Sequence, residues 1–566
     1  MQKYIFGEVF TIGDLDMKTR EMIIAALVCG AWQQADAQYV SKVWVPDQKD
    51  GTYINPIIHA DYSDPDVCAV GDDFYMTASS FGCTPGLPIL HSKDLVNWRL
   101  ANYALKEIEP TIFFNAPQHG KGVWAPSIRY HNGEFFIYWG DPDWGIFMVK
   151  TKDPLGEWEK PVLVKAGKGM IDPTPLWDED GKVYLVHAWA GSRAAFNSVI
   201  TVCEMNAEGT KVISEPVLVF DGNDGVNHTI EGPKFYKRNG YYYILAPAGG
   251  VVTGWQLALR SRNVYGPYES KIVMAQGDTD INGPHQGGWV ETCTGESWFI
   301  NFQDKAMYGR VLHLNPVKWE NDWPVIGEDK DGDGCGEPVK RYKKPDVGRI
   351  YPIETPIESD EFNTRQLGLQ WEWHANYQDT FGFTSDLGYI RIYGHILSKD
   401  FVNFWEVPNL LLQKFPAEEF TATAKLKVSA KADGQQSGLI VMGWDYGYLG
   451  VVKEGDKFIL NQVVCKDAEQ RSPETVTHLA ELPVSRRFGA GLYPNYERDI
   501  YLQVKVTGGG ICYFSYSLDG RKYTLAGVPF TARQGKWIGA KVGLFSTAPY
   551  GKERGWVDAD WFRIDK

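Results

Sequence analysis

The sequence predicts an all-β protein, a five-bladed β-propeller followed by a β-sandwich. Two observations carry the prediction: a hairpin motif that recurs five times before residue 326, and long strands of period-two alternation beyond Ser359. The clearest copy of the motif is TIEGPKFYKRNGYYYIL, Thr229 to Leu245, in which Glu231 stands nine residues before Gly240. A Pro, an apolar pair, an Asn-Gly turn signal and an aromatic run of strand character follow in that order. Asp172 stands nine residues before Gly181, and Trp124 nine before Gly133. Two looser copies place Asp64 seven residues before Gly71 and His285 ten before Gly295. The five glycines are 62, 48, 59 and 55 residues apart, about the length of a four-stranded blade with a generous loop. HSKDLVNW from His91, KTKDPLGEW from Lys150 and RSRNVYGPY from Arg260 form a second repeat at similar offsets.

In chain order, Met22–Trp32 is an apolar run too short to span a bilayer, preceded by Lys18 and Arg20 and followed by Ala35-Asp36-Ala37. Residues 1–37 therefore read as a leader and export signal cut after Ala37, with Met17 as the preferred start and a periplasmic or secreted product. A buried N-terminal helix is the alternative. A lipid anchor at Cys29 is disfavoured because Val28 stands where a small residue is expected. Residues 51–326 form the propeller, with Gly, Pro, Asn and Asp punctuating aromatic and β-branched runs. Residues 327–357, charged and bearing Gly and Pro, read as a linker. Within it Asp329, Asp331, Asp333 and Gly334 match the start of a calcium loop, but Lys340 occupies the position of the bidentate Glu, so a solvated turn is preferred. Residues 358–566 alternate as EFTATAKLKVSA, SGLIVMGW and DIYLQVKV, which implies two antiparallel sheets face to face.

Composition narrows the partner. A chain of 566 residues is long enough for two cores, and 14% aromatic residues with 21 Trp suit both sheet packing and stacking on sugar rings. The net charge of −14, with no clustered Lys or Arg, argues against nucleic acid and for a neutral ligand. Eight cysteines show no metal-ligand spacing, and losing Cys29 with the leader leaves an odd seven. Mostly buried thiols are expected rather than a disulfide framework.

A propeller gathers equivalent positions around one axis, so Asp64, Trp124, Asp172, Glu231 and His285 are expected in one pocket. Alone, each has a plain structural reading: Asp64 and Asp172 precede prolines and could cap turns, and Trp124 and His285 could be core. Glu231 is harder to explain, being a poor turn residue in apolar surroundings. Three gathered carboxylates cost free energy unless hydrogen-bonded or protonated, and they match what glycoside hydrolysis needs. One carboxylic acid protonates the leaving oxygen, a carboxylate across the sugar activates water, and a third neighbour keeps the acid protonated.

The set NPIIHADYSDPDV, SSFGCTPGLPILHSKDLVNW, VWAPSIRYHNGEFFIYW, IDPTPLWDEDGKVYLV, IEGPKFYKRNGYYYI and MYGR resembles glycoside hydrolase family 43 in order and spacing. The resemblance implies an inverting enzyme with Asp64 as general base, Asp172 tuning and orienting the acid, and Glu231 as general acid. It implies Phe81 and Trp124 at the sugar and Arg310 on the glycone; Arg193 is added as a substrate contact. His285 would position a water or a structural calcium near the axis, with no cofactor required, although GPHQGG replaces a shorter motif here. From SDEFNTRQLGLQWEW onward the chain resembles the concanavalin A-like sandwich of the xylosidase and arabinofuranosidase branch. The expected activity is exo-release of α-L-arabinofuranose from plant cell-wall glycans, with β-xylosidase second and a non-catalytic sugar-binding propeller third. The sandwich is expected to wall one side of the pocket, with the aromatic-bearing loop from Arg486 at the rim.

Overall fold

Five antiparallel four-stranded sheets account for residues 66–326. Their innermost strands are Asp66–Val70, Pro126–His131, Met170–Trp177, Lys234–Arg238 and His285–Glu291. Each reverses into a second strand at Gly71, Gly133, Gly181, Gly240 or Gly295, and all five glycines hold the positive φ that a tight hairpin asks for. The second strands supply the packing between blades: Met76, Ile137, Leu185, Ile244 and Ile300 are fully buried. The ring closes through the segment ahead of blade 1. Ile57 N donates to Leu312 O at 2.7 Å and Tyr62 N to Arg310 O at 3.1 Å, so residues 55–62 run along the third strand of blade 5, Arg310–Glu320.

The structure is a computed structural model that describes residues 38–488 and 494–566, with side chains described outside 486–495. The expected export signal, its cut after Ala37 and Cys29 lie outside the described residues, as does the tip of the loop that follows Arg486. Among the described residues no helix is long and apolar enough to cross a membrane, and all seven described cysteines are free thiols, four of them buried.

The stretch 327–357 is ordered against the propeller rather than loosely tethered. Glu328 and Glu337 exchange backbone hydrogen bonds of 2.9 Å, and Arg341–Lys343 pairs with Thr52–Ile54. Asp329, Asp331 and Asp333 approach within 4.8 Å of one another. Their oxygens accept from the loop's own N–H groups, Gly332 N to Asp329 at 2.7 Å and Cys335 N to Asp333 at 2.6 Å.

Beyond it, sheets of eight and nine strands pack face to face. Phe420–Ala430 anchors one, in register with Pro494–Thr507 on one side and Trp556–Asp565 on the other. Its inward residues Phe420, Ala422, Ala424, Leu426 and Val428 meet Leu439, Leu449, Leu460, Val542 and Leu544 of the facing sheet in one core. The sandwich docks on the propeller through backbone. Thr84 and Trp373 exchange hydrogen bonds of 3.2 and 2.7 Å, and Ala540 N donates to Met307 O at 2.8 Å. At Gly539 a Cβ would lie 2.7 Å from Gly309 N, a contact only glycine permits.

Candidate active site

The innermost strands begin where the axis widens into a cavity of about 100 Å³. Asp64, Asp172, Glu231 and His285 from four blades line it with Phe81, Trp124 and Arg310. The fold thus brings together seven of the eight residues that the sequence marks. Several are held in unfavourable backbone: Asp64, Phe81 and Asp172 are left-handed, with φ of 55°, 50° and 57°. Non-glycine residues rarely adopt that conformation unless the surroundings impose it.

Asp64 is the most tightly held of the carboxylates. Ser63 Oγ and Ser79 Oγ donate to its Oδ2 at 2.7 and 2.6 Å, and Arg310 Nη1 donates to Oδ1 at 3.1 Å. Arg310 also reaches Ser63 Oγ at 2.6 Å and lies over the Phe302 ring at 4.8 Å. This carboxylate therefore has a counter-charge and a fixed orientation. Asp172 Oδ2 accepts from Gly232 N at 2.7 Å and from Gln286 Nε2 at 3.5 Å. Burial pushes Asp172 up to about 7, against the pull of the Gly232 N–H and with help from the Asp64 charge.

Unlike Asp64, Glu231 has no charged hydrogen-bond donor among the described residues. Burial, then the negative charges of Asp172 and Asp64, push it up to about 8. Its side chain keeps 34% of its surface, opening into the narrow cavity, and Oε1 lies 3.4 Å from His285 Nε2. His285 is fully buried, and burial followed by the nearby Arg310 charge lowers it to about 3, so it meets Glu231 as a neutral imidazole. The site holds two carboxyl groups raised by burial, Glu231 the further, and a third, Asp64, paired with arginine.

A calcium at His285 finds little support in the residues present. A hard cation wants six to eight oxygens, whereas among the described residues the only convergent set of three acidic, His or Cys side chains is Asp329, Asp331 and Asp333, in the 327–357 stretch. The chemistry of the cavity is derived without it.

Arg193 is the one expected contact that does not line the cavity. Its guanidinium donates to Asp143 at 3.1 Å and lies over the Trp124 ring at 5.6 Å, so the Asp143 carboxylate retains it one layer out. Conversely, Trp537 was not anticipated. It comes from the sandwich, on a loop between Ala532 and Lys541, and lines the cavity with its ring 6.3 Å from that of Trp124. Gly539 N, two residues on, donates to buried Asp61 at 2.9 Å, and Asp61 also accepts from Arg310 N at 2.8 Å. One carboxylate thus ties the roof to the arginine that holds Asp64. A Trp between Lys536 and Ile538 in a glycine-flanked turn is the only sequence trace of this arrangement.

Comparison with known proteins agrees with this geometry. The family model for glycosyl hydrolases family 43 matches residues 53–324, and that for the β-xylosidase C-terminal concanavalin A-like domain matches 359–565. A putative β-xylosidase of Xylanibacter ruminicola is 37% identical over 88% of this chain and 87% of its own length. A non-reducing end α-L-arabinofuranosidase of Bacteroides ovatus is 31% identical over 74% of this chain and 79% of its own. A crystal structure of a family 43 protein from Bacillus licheniformis superposes with a TM-score of 0.76 at 26% identity, covering 91% of this chain and 99% of that one. With its propeller, its sandwich and its three axial carboxylates, the chain belongs to glycoside hydrolase family 43.

Proposed function

We propose that the chain is an exo-acting, inverting pentosidase that removes a terminal sugar from plant cell-wall glycans, β-xylose from xylo-oligosaccharides before α-L-arabinofuranose from side branches. The observation that supports this best is the pairing of a protonated Glu231 with an arginine-bound Asp64 in a cavity roofed by Trp537. Asp64 takes a proton from water as the water attacks the anomeric carbon. Glu231 gives its proton to the departing oxygen, and Asp172 keeps Glu231 protonated until then. A small cavity lined on one side by the sandwich favours a chain end over an internal linkage. Xylose is placed ahead of arabinose because the relative at 37% identity is named a putative β-xylosidase, whereas the arabinofuranosidase stands at 31%. This reverses the order expected from sequence.

Chromogenic β-xylosides and α-L-arabinofuranosides, assayed side by side with xylobiose, test the reading. Release of xylose at the higher kcat/KM supports it, a preference for the arabinofuranoside restores the other order, and release of neither sugar refutes the pentosidase reading.

The pH profile carries a second expectation. Hydrolysis needs Glu231 protonated, so kcat/KM falls as pH rises through about 8 in the free enzyme. The Asp172 charge is one cause of that raised value, so Asp172→Asn moves the alkaline limb to lower pH. An unmoved limb would remove Asp172 from the tuning role.

Trp537 closes the pocket from the second domain, and Trp537→Ala is expected to raise KM for xylobiose roughly tenfold with the fold intact. An unchanged KM would assign the sandwich a purely supporting part.

A further inference from the structure

A sugar chain cut at its end has a remainder, and the cavity has no room for it. The acid that protonates the departing oxygen sits at the start of blade 4, so the remainder must leave over the loops that lead into that blade. Two loops meet there. Residues 222–229 run directly into Glu231, and residues 190–198 connect the second and third strands of blade 3. They are bonded together at three points: Gly222 N donates to Ser198 O at 2.7 Å, Thr229 N to Ser198 Oγ at 2.8 Å, and Asn223 Nδ2 to Asn197 O at 3.2 Å.

The blade 3 loop is preformed. A single helical turn, Gly191–Ala194, ends at Ala195 in the left-handed region, φ 66°, and Ser198 repeats that conformation at φ 64°. Ala190 N donates to Gly169 O at 2.8 Å, and the turn packs so closely on Gly169 that a Cβ there would lie 2.7 Å from that of Ala194. This strained, anchored backbone presents Phe196 with 48% of its surface exposed. The ring is not adrift in solvent. It rests on Trp189 at 5.0 Å, and Trp189 rests on buried His187 at 5.1 Å, so three rings, each tilted against the next, lead outward from the core. On the same loop Arg193 bridges Asp143 and the ring of Trp124, which lines the cavity. The platform is thereby continuous with the pocket.

We infer that the blade 3 loop is the leaving-group subsite, with Phe196 stacking on the pyranose ring to which the terminal pentose is attached and Arg193 donating to its hydroxyls. This rests on the glycosidase reading above. A neutral pyranose fits because it offers an apolar ring face to Phe196 and acceptor oxygens to a guanidinium already neutralised by Asp143. An anionic residue is disfavoured by that same neutralisation.

The test compares xylobiose with xylosyl fluoride, whose leaving group is too small to reach the platform. Phe196→Ala should lower the ratio of kcat/KM on xylobiose to that on the fluoride roughly five- to tenfold, mainly through KM, and Phe196→Trp should restore it. Equal losses on both substrates, or an unchanged ratio in Phe196→Ala, would overturn the subsite while leaving the glycosidase reading intact. A wild-type protein that hydrolyses neither substrate would instead sink the xylosidase reading on which the subsite rests, and the subsite with it.

Discussion

Glu231→Gln is expected to slow hydrolysis of xylobiose by at least ~100-fold, the scale of a lost general acid. The amide fills the same space beside His285 but has no proton to give. The loss should depend on the leaving group. A nitrophenolate departs without help, so the variant should regain much of its rate on an aryl xyloside, whereas Asp64→Asn, which cannot activate water, should stay impaired on both. Near-wild-type turnover of xylobiose by Glu231→Gln would remove the assignment. Product stereochemistry is a separate check: early-time NMR should show the inverted anomer, since a water acts opposite the leaving group. Stability should move the other way. Glu231 binds its proton more tightly folded than unfolded, so between the ordinary carboxylate range and about 8 the folded state loses stability as pH rises. Gln carries no such cost, and the melting temperature of Glu231→Gln should exceed that of the wild type increasingly toward alkaline pH.

Much of this site was legible before the fold because the repeat works as a coordinate system. Asp64, Trp124, Asp172, Glu231 and His285 stand seven to ten residues before a hairpin glycine, and the blade geometry turns that near-common offset into proximity. Phe81 and Arg310 stand outside the offset, yet both line the cavity as the family resemblance implied. Residues whose role depends on a neighbouring charge or on the other domain left no such trace. Nothing near Arg193 in sequence announces Asp143, 50 positions earlier, which holds it one layer out from the cavity. Nothing near Asp61 announces Gly539, 478 positions later. The sandwich as a wall was expected, with the aromatic-bearing loop from Arg486 at the rim, and the tip of that loop lies outside the described residues. Among the described residues of the sandwich, Trp537 lines the cavity, on a loop not marked in the sequence, and Gly539 and Gly309 let the two backbones touch there. The stretch 327–357 has a linker's composition, yet backbone pairing with Thr52–Ile54 holds it to the propeller, a long-range contact that composition does not encode.

Glu372→Leu is expected to destabilise the protein by about 3–5 kcal/mol, the usual consequence of stranding buried charge. Glu372, 3% exposed, lies in the seam between the domains and binds both Lys414 and Lys541, while Lys541 Nζ also contacts Cys83 Sγ of the propeller at 3.2 Å. Burial alone would raise the Glu372 carboxyl, but the two ammonium groups override it and hold it down to about 2. Removing the carboxylate leaves two cations facing each other, Lys541 buried and Lys414 partly buried. If the loss comes from that mismatch, the triple replacement Glu372→Leu, Lys414→Met, Lys541→Met should recover most of it, since apolar groups of similar volume carry no desolvation debt. The pH dependence has a definite sign. A depressed carboxylate contributes above its unfolded value, near 4.5, and that contribution disappears as pH falls toward about 2. Wild-type stability should therefore drop across that window more steeply than that of the triple variant. Denaturant unfolding at pH 7 and at pH 3 measures both effects, and a Glu372→Leu protein within about 1 kcal/mol of wild type at pH 7 would show that the cluster does not hold the seam. Lys541 lies four residues beyond Trp537, so opening the seam should also loosen the roof. The destabilised variant should then show a raised KM for xylobiose, and the triple variant a restored one.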